Sequence, residues 1–230
     1  MPRPRNDTQQ LDLLDTLDAD AIDRTRPIGP QVYELIRLAI VLSHLPPDTQ
    51  INEPELSKAL GVSRTPLRQA YQKLASEGLI ISRPQVGSVV ASVDNDLIKE
   101  GITIRRALER EVVRALCDTK ADLGELEPLL AVQRIAVRKD DYVTYFRSDE
   151  EFHRQLAYIA EIPAAWRLAL SVKGHADRAR LSLMKANPKR IHRAFAEHLE
   201  LIDACQCGDF EKAERVISQH VNAIRDVFED

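Results

Sequence analysis

Between Asn52 and Gly78 the sequence NEPELSKALGVSRTPLRQAYQKLASEG marks its own element boundaries. Asn52 before Glu53-Pro54-Glu55 has the form of an N-cap with an acidic first turn, and Pro54 falls where a missing N–H costs nothing. The helical period then runs to Leu60, and Gly61 supplies a left-handed stop. Ser63 is a second cap. It opens a segment with Pro66 in the first turn and Leu67, Ala70, Tyr71 and Leu74 on one face, continuing to Gly78. Two short helices joined by a turn containing glycine make a helix-turn-helix.

The flanks complete a domain. Val32, Leu35, Ile36, Ala39 and Ile40 follow the helical period and predict a helix over about 31–43, ended by the turn Leu45-Pro-Pro-Asp48. Leu79-Ile-Ile-Ser82 and Ser88-Val-Val-Ala91 are β-like runs on either side of Arg83-Pro-Gln-Val-Gly87, a hairpin or wing. A winged helix-turn-helix domain over 28–93 results. Residues 1–27, with four Arg, six Asp and Leu11, Leu14 and Leu17 at helical spacing, form either a disordered tail or a short amphipathic helix. Beyond Val93 the strand signal all but vanishes. Breaks near Thr119 to Asp122, Lys139-Asp140, Ile162-Pro163, Asn187-Pro188 and Cys207-Gly-Asp209 cut 94–230 into six helical segments, an antiparallel bundle. The fold class is therefore mainly α, with the winged domain first and the bundle second.

A chain of 230 residues accommodates two such domains. No apolar run approaches the ~18 residues of a membrane span, and the N-terminus lacks the apolar core of a secretory signal, so a cytoplasmic location and no membrane partner are expected. Cys117, Cys205 and Cys207 form no CxxC pair and read as reduced and structural. The net charge of −4 excludes an indiscriminate polycation, and residues 28–93 hold six basic against five acidic side chains. Binding of nucleic acid by this domain must then rest on a focused patch and on dimerisation.

Such a patch is legible. Arg64 and Arg68 lie one turn apart on the second helix of the motif, on the face away from Leu67, Tyr71 and Leu74. An Arg there can read guanine O6 and N7, while Ser63 and Thr65 can hold a phosphate at the helix start. Two arginines alone would be an ordinary solvated face. The ordered set of helix, capped helix, turn, basic helix and wing is the stronger signal.

The bundle carries a different puzzle. In RSDEEFHRQL, Asp149 and His153 sit four residues apart on the face that also carries Phe146, Leu156 and Ala160. His198 falls mid-stripe between Ile191 and Leu201, and His220 between Ile217 and Ile224. Buried imidazoles and a carboxylate need partners. Either each histidine is satisfied separately in the core, or three helices aim one carboxylate and three imidazoles at a divalent metal, zinc first, with nickel and manganese as alternatives. Arg105 interrupts the apolar stripe Ile98, Ile102, Val112 and Leu116, where a buried guanidinium pairs with an internal carboxylate such as Glu109 or Glu150 unless something else claims it.

From Val32 to about Ala91 the chain resembles the GntR family of bacterial transcription regulators, through VYELIRLAIV, LPPDTQINEPELSKALGVSRTPLRQAYQKLASEGLI and SRPQVGSVVA. The resemblance implies operator contacts from Ser63, Arg64, Thr65 and Arg68, with the wing tip, Gln85 to Gly87, in the minor groove. Pro54 stands where many relatives carry an Arg. The second half is similar to the FCD ligand-binding domain of the FadR-type branch, which commonly holds a metal through an Asp-x3-His helix and two later His. The positions that match are Asp149, His153, His198 and His220. It also implies a small organic acid bound beside the metal by Arg105, with Arg178 as a second candidate. The expectation is a homodimeric regulator, not an enzyme, whose affinity for operator DNA is set by a carboxylate effector. The alternatives are a metal-responsive regulator without an organic effector and a metal-dependent hydrolase.

Overall fold

A computed structural model of the chain describes residue 17 and residues 19–224. The chain divides into two compact units, Met1–Val93 and Asp94–Asp230.

In the first unit, α1 (Ile28–Val41), α2 (Glu53–Leu60) and α3 (Arg64–Ser76) are followed by an antiparallel pair, β1 (Ile80–Arg83) and β2 (Gly87–Val90). α1 begins earlier than its apolar period suggests because Pro30 sits in the first turn, which spends no hydrogen bond on it. The boundaries of α2 follow local chemistry. Asn52 accepts the Glu55 N–H at 3.4 Å, and Gly61 takes φ 58°. Ser63 has the extended conformation of a cap, but its hydroxyl makes no capping bond. α1 packs on α3 around Val32, Ile36, Ile40, Leu67 and Leu74, all fully buried. Residues 48–51, read from sequence as turn and loop, add a third extended segment to the sheet. Asp48 N–H donates to Val90 O, Val90 N–H to Thr49 O and Ile51 N–H to Ser88 O.

Some of the residues before α1 pack on this unit. Residues 1–16 and 18, where most of the expected tail or amphipathic helix lies, are outside the described residues. Ala19–Ala21 forms a 3-10 turn, Leu17 and Ile22 join the core, and the Arg24 guanidinium donates to Gly61 O at 2.6 Å and Leu60 O at 3.0 Å. Arg24 thereby satisfies carbonyls that the end of α2 leaves open.

The second unit has seven α-helices among the described residues: α4 (Asn95–Thr119), α5 (Glu127–Arg138), α6 (Tyr142–Ile159), α7 (Pro163–Val172), α8 (Gly174–Ala186), α9 (Arg190–Cys207) and α10 (Phe210–Asn222). α4 is central, packing against α6, α7, α8, α9 and α10. The sequence predicts six segments. The extra break falls at Lys173, whose fully buried ammonium bonds to Glu150 on α6 and to Asp177 on α8. No turn residue announces it before Gly174, because its cause is tertiary. None of the described helices is long and apolar enough to cross a membrane.

Candidate metal centre and nucleic-acid interface

α6, α9 and α10 bring Asp149, His153, His198 and His220 together, one donor atom from each lying within 4.8 Å of the others. All four are buried, Asp149 completely. From Asp149 Oδ1, His198 Nε2 is 3.4 Å away and His220 Nε2 3.6 Å, while His153 Nε2 lies 3.9 Å from Oδ2. The Nε2 atoms of His153 and His220 approach to 3.2 Å.

The far side of each ring defines its protonation. His153 Nδ1 is 3.0 Å from Glu109 Oε2, His198 Nδ1 2.8 Å from Gln133 Oε1, and His220 Nδ1 3.0 Å from Glu197 Oε2. Those oxygens only accept, so in a neutral ring Nδ1 carries the proton and Nε2 presents its lone pair inward. Gln133 is held in the right sense, since its own amide donates to Ser148 O at 3.2 Å. His198 Nε2 is buried with no hydrogen-bond partner. Three inward lone pairs that converge in this way, with no donor among them when the rings are neutral, are poorly compensated without a cation. The donor set, with each imidazole braced from behind, suits a divalent ion of the zinc, nickel or manganese type.

Electrostatics sharpen the picture. Burial pushes His198 down to about 3, against the pull of Asp149. Burial lowers His153 more than Glu109 raises it. At His220 burial is outweighed by Asp149 and Glu197, which raise its pKa. Burial alone would raise Asp149. Arg180, donating to Oδ2 at 2.6 Å and Oδ1 at 2.5 Å, and the neighbouring imidazoles hold it well below the usual carboxylate range.

Beside this cluster lies a cavity of about 240 Å³. His220, Arg105 and Arg180 line it on one side, and Arg190 and Arg193 of α9 on another. Arg105 takes the internal pairing that the sequence allows. Its Nε bonds to Glu109, and its buried Nη2 has no hydrogen-bond partner. Arg178 does not line the cavity. On the same helix the guanidinium that does is two residues further on, Arg180, which sequence reasoning missed. Asp177, Arg180 and Met184 at helical spacing were the available signal. Gln133 and Glu197 were also missed, although Gln133 sits on the buried face of α5 with Leu130 and Ala136. His175 accepts the Asp94 N–H at 3.1 Å and tethers the start of α4, away from the cavity. His192 is exposed against Asp140.

In the first unit Ser63, Arg64, Thr65 and Arg68 are exposed on the opening turns of α3, opposite buried Leu67, Ala70 and Tyr71. Arg68 Nε reaches Glu53 only at 3.5 Å. Gln85, with φ 62°, and Gly87, with φ 95°, stand exposed at the wing tip, and Gln50 braces that tip by donating to Val86 O at 2.6 Å.

Residues 29–90 match the bacterial regulatory proteins of the gntR family, and residues 100–223 match the FCD domain. The chain is 34% identical to the HTH-type transcriptional repressor RspR of Escherichia coli K12, over 88% of this chain and 90% of that protein. It is 33% identical to an HTH-type transcriptional regulator in an unstable DNA locus of Streptomyces ambofaciens, over 86% and 84% of the two chains. Among solved structures, E. coli McbR/YncC shares the fold with a TM-score of 0.74 at 21% identity, over 87% of this chain and 98% of that one.

Proposed function

The chain belongs to the gntR family of bacterial regulatory proteins and carries an FCD domain, and from that premise we propose that a small carboxylate, bound beside a divalent metal in the second unit, controls its affinity for operator DNA. That it is a DNA-binding transcriptional regulator rather than an enzyme follows from the family and its relatives, which sets the hydrolase alternative aside. The observation that carries the finer reading is the juxtaposition of four converging ligand side chains with a cavity where Arg105 offers a buried, unpartnered N–H.

Asp149, His153, His198 and His220 would hold the ion. Glu109, Gln133 and Glu197 orient the imidazoles and keep their protons on Nδ1. A bound divalent cation supplies a Lewis-acid anchor for a carboxylate oxygen. Arg105 donates to the same carboxylate, and Arg180 keeps Asp149 ionised. Control requires the effector to favour one state of the regulator over another, since equal affinity for both shifts nothing. The regulator acts as a homodimer, one α3 to each half of an inverted repeat, with Ser63, Arg64, Thr65 and Arg68 on the major groove and Gln85 and Gly87 at the minor groove. It acts as a repressor, as its relative RspR is named to do.

The test is operator binding to the intergenic DNA beside the gene at a stated salt concentration, with zinc supplied, across a panel of small carboxylates. Selective release by one acid, lost in His198→Ala, supports the reading. Release by metal alone would favour the metal-responsive alternative, and retention of full effector affinity without metal would remove the metal from the effector site.

A further inference from the structure

We infer that the effector is a small dianion, with one anionic group met by Arg105 beside His220 and a second met by Arg190 and Arg193 at the cavity mouth. The inference rests on the effector reading above and adds the ligand's second end.

The cavity has two cationic poles. At the inner pole Arg105 is buried, with Nη2 unpartnered, and His220 borders the same space. The outer pole is the first turn of α9, where Arg190 is half-buried and the Arg193 side chain is 56% exposed. Arg190 spends one N–H on a long bond to Ala223 O at 3.4 Å, and Arg193 spends Nε on Glu197. Both retain donors for a ligand, because a guanidinium carries five N–H groups. The lining also includes the apolar side chains of Ile102, Leu183, Met184, Ala194 and Val221, alongside polar Lys173, Asp177, Arg180 and Asn187. A volume of about 240 Å³ suits a small ligand. A short aliphatic spacer between two anionic groups fits this distribution.

Charge accounting points the same way. Arg105, Lys173, Arg180, Arg190 and Arg193 line the space, and they are matched in number by the carboxylates Glu109, Asp149, Glu150, Asp177 and Glu197. The formal charge is therefore balanced before any ion is held by Asp149 and the imidazoles. A divalent ion there leaves two uncompensated positive charges, which a monocarboxylate would neutralise only by half.

The experiment is calorimetry on the full-length protein with zinc supplied, using chain-matched pairs: butyrate with succinate, hexanoate with adipate, and a phosphorylated hydroxy acid to separate a second carboxylate from a phosphate. The best diacid or phospho-acid should bind about tenfold or more tighter than its monoacid, a margin expected for charge-assisted hydrogen bonds to the second group. In Arg190→Gln/Arg193→Gln that ratio should collapse toward one. Equal binding of mono- and diacid, or a ratio untouched by the double substitution, would overturn the dianion inference and leave the carboxylate reading standing. Binding of none of these acids would overturn both.

Discussion

Gln133 makes no contact with solvent and carries no charge, yet it decides which nitrogen of His198 is free. Its oxygen faces Nδ1 at 2.8 Å, so Gln133→Leu should preserve volume while removing the acceptor that fixes the tautomer. Zinc affinity, read by chelator competition, should fall about 10- to 100-fold with the helical circular-dichroism signal retained. Arg180 tests the neighbouring charge. Arg180→Gln strands Asp149 as a buried carboxylate, so urea denaturation of the metal-free protein should show a loss of about 3–5 kcal/mol, and less with zinc present. Another buried carboxyl, Glu77, accepts from Tyr33 OH at 2.7 Å, and burial raises its pKa despite that bond and the nearby Arg37 and Lys73. The folded state thus holds this proton more tightly than the unfolded chain does. Its contribution is fully present below the unfolded carboxylate pKa and is lost as pH rises through the higher folded value. Glu77→Gln should flatten that acid-side slope in Tm against pH, and an unchanged slope would assign it elsewhere.

At the scale of elements, what could be read in advance depended on where the cause of a boundary lies. α2 and α3 were legible because Asn52, Pro54, Gly61 and Pro66 act on their own turns. The break at Lys173 was not, since the buried ammonium is held by carboxylates from two helices. The pairing of 48–51 with β2 was hidden for the same reason, its hydrogen bonds reaching across some forty residues of sequence. The four candidate ligand positions were visible as polar interruptions of apolar stripes, whereas Arg180 and Glu197 looked like ordinary charged helix positions. Gly101 shows how closely elements must approach. A Cβ there would collide with the Val172 carbonyl oxygen at the end of α7, in the wall of the cavity. Although alanine suits a helix interior better, Gly101→Ala should destabilise the second unit by about 1–3 kcal/mol through overpacking. A stabilised variant in thermal unfolding would show that α7 moves away freely.

For the whole molecule, DNA recognition has no overall charge attraction to draw on, since the chain carries net charge −4. Affinity concentrated on a few exposed side chains should be sensitive to each of them. Arg64→Ala should cost about 1–3 kcal/mol of operator binding and relax the preference for one base, whereas loss of a phosphate contact should weaken all sequences alike and reduce the salt slope. Electrophoretic mobility shifts on single-base operator variants distinguish the two, and an unchanged affinity would remove Arg64 from the interface. The buried ammonium of Lys173 has a practical use of another kind. An amine with no exposed surface is shielded from acylating reagents while surface lysines react, so the rate at which mass spectrometry finds Lys173 labelled would clock the opening of the bundle around the cavity it lines.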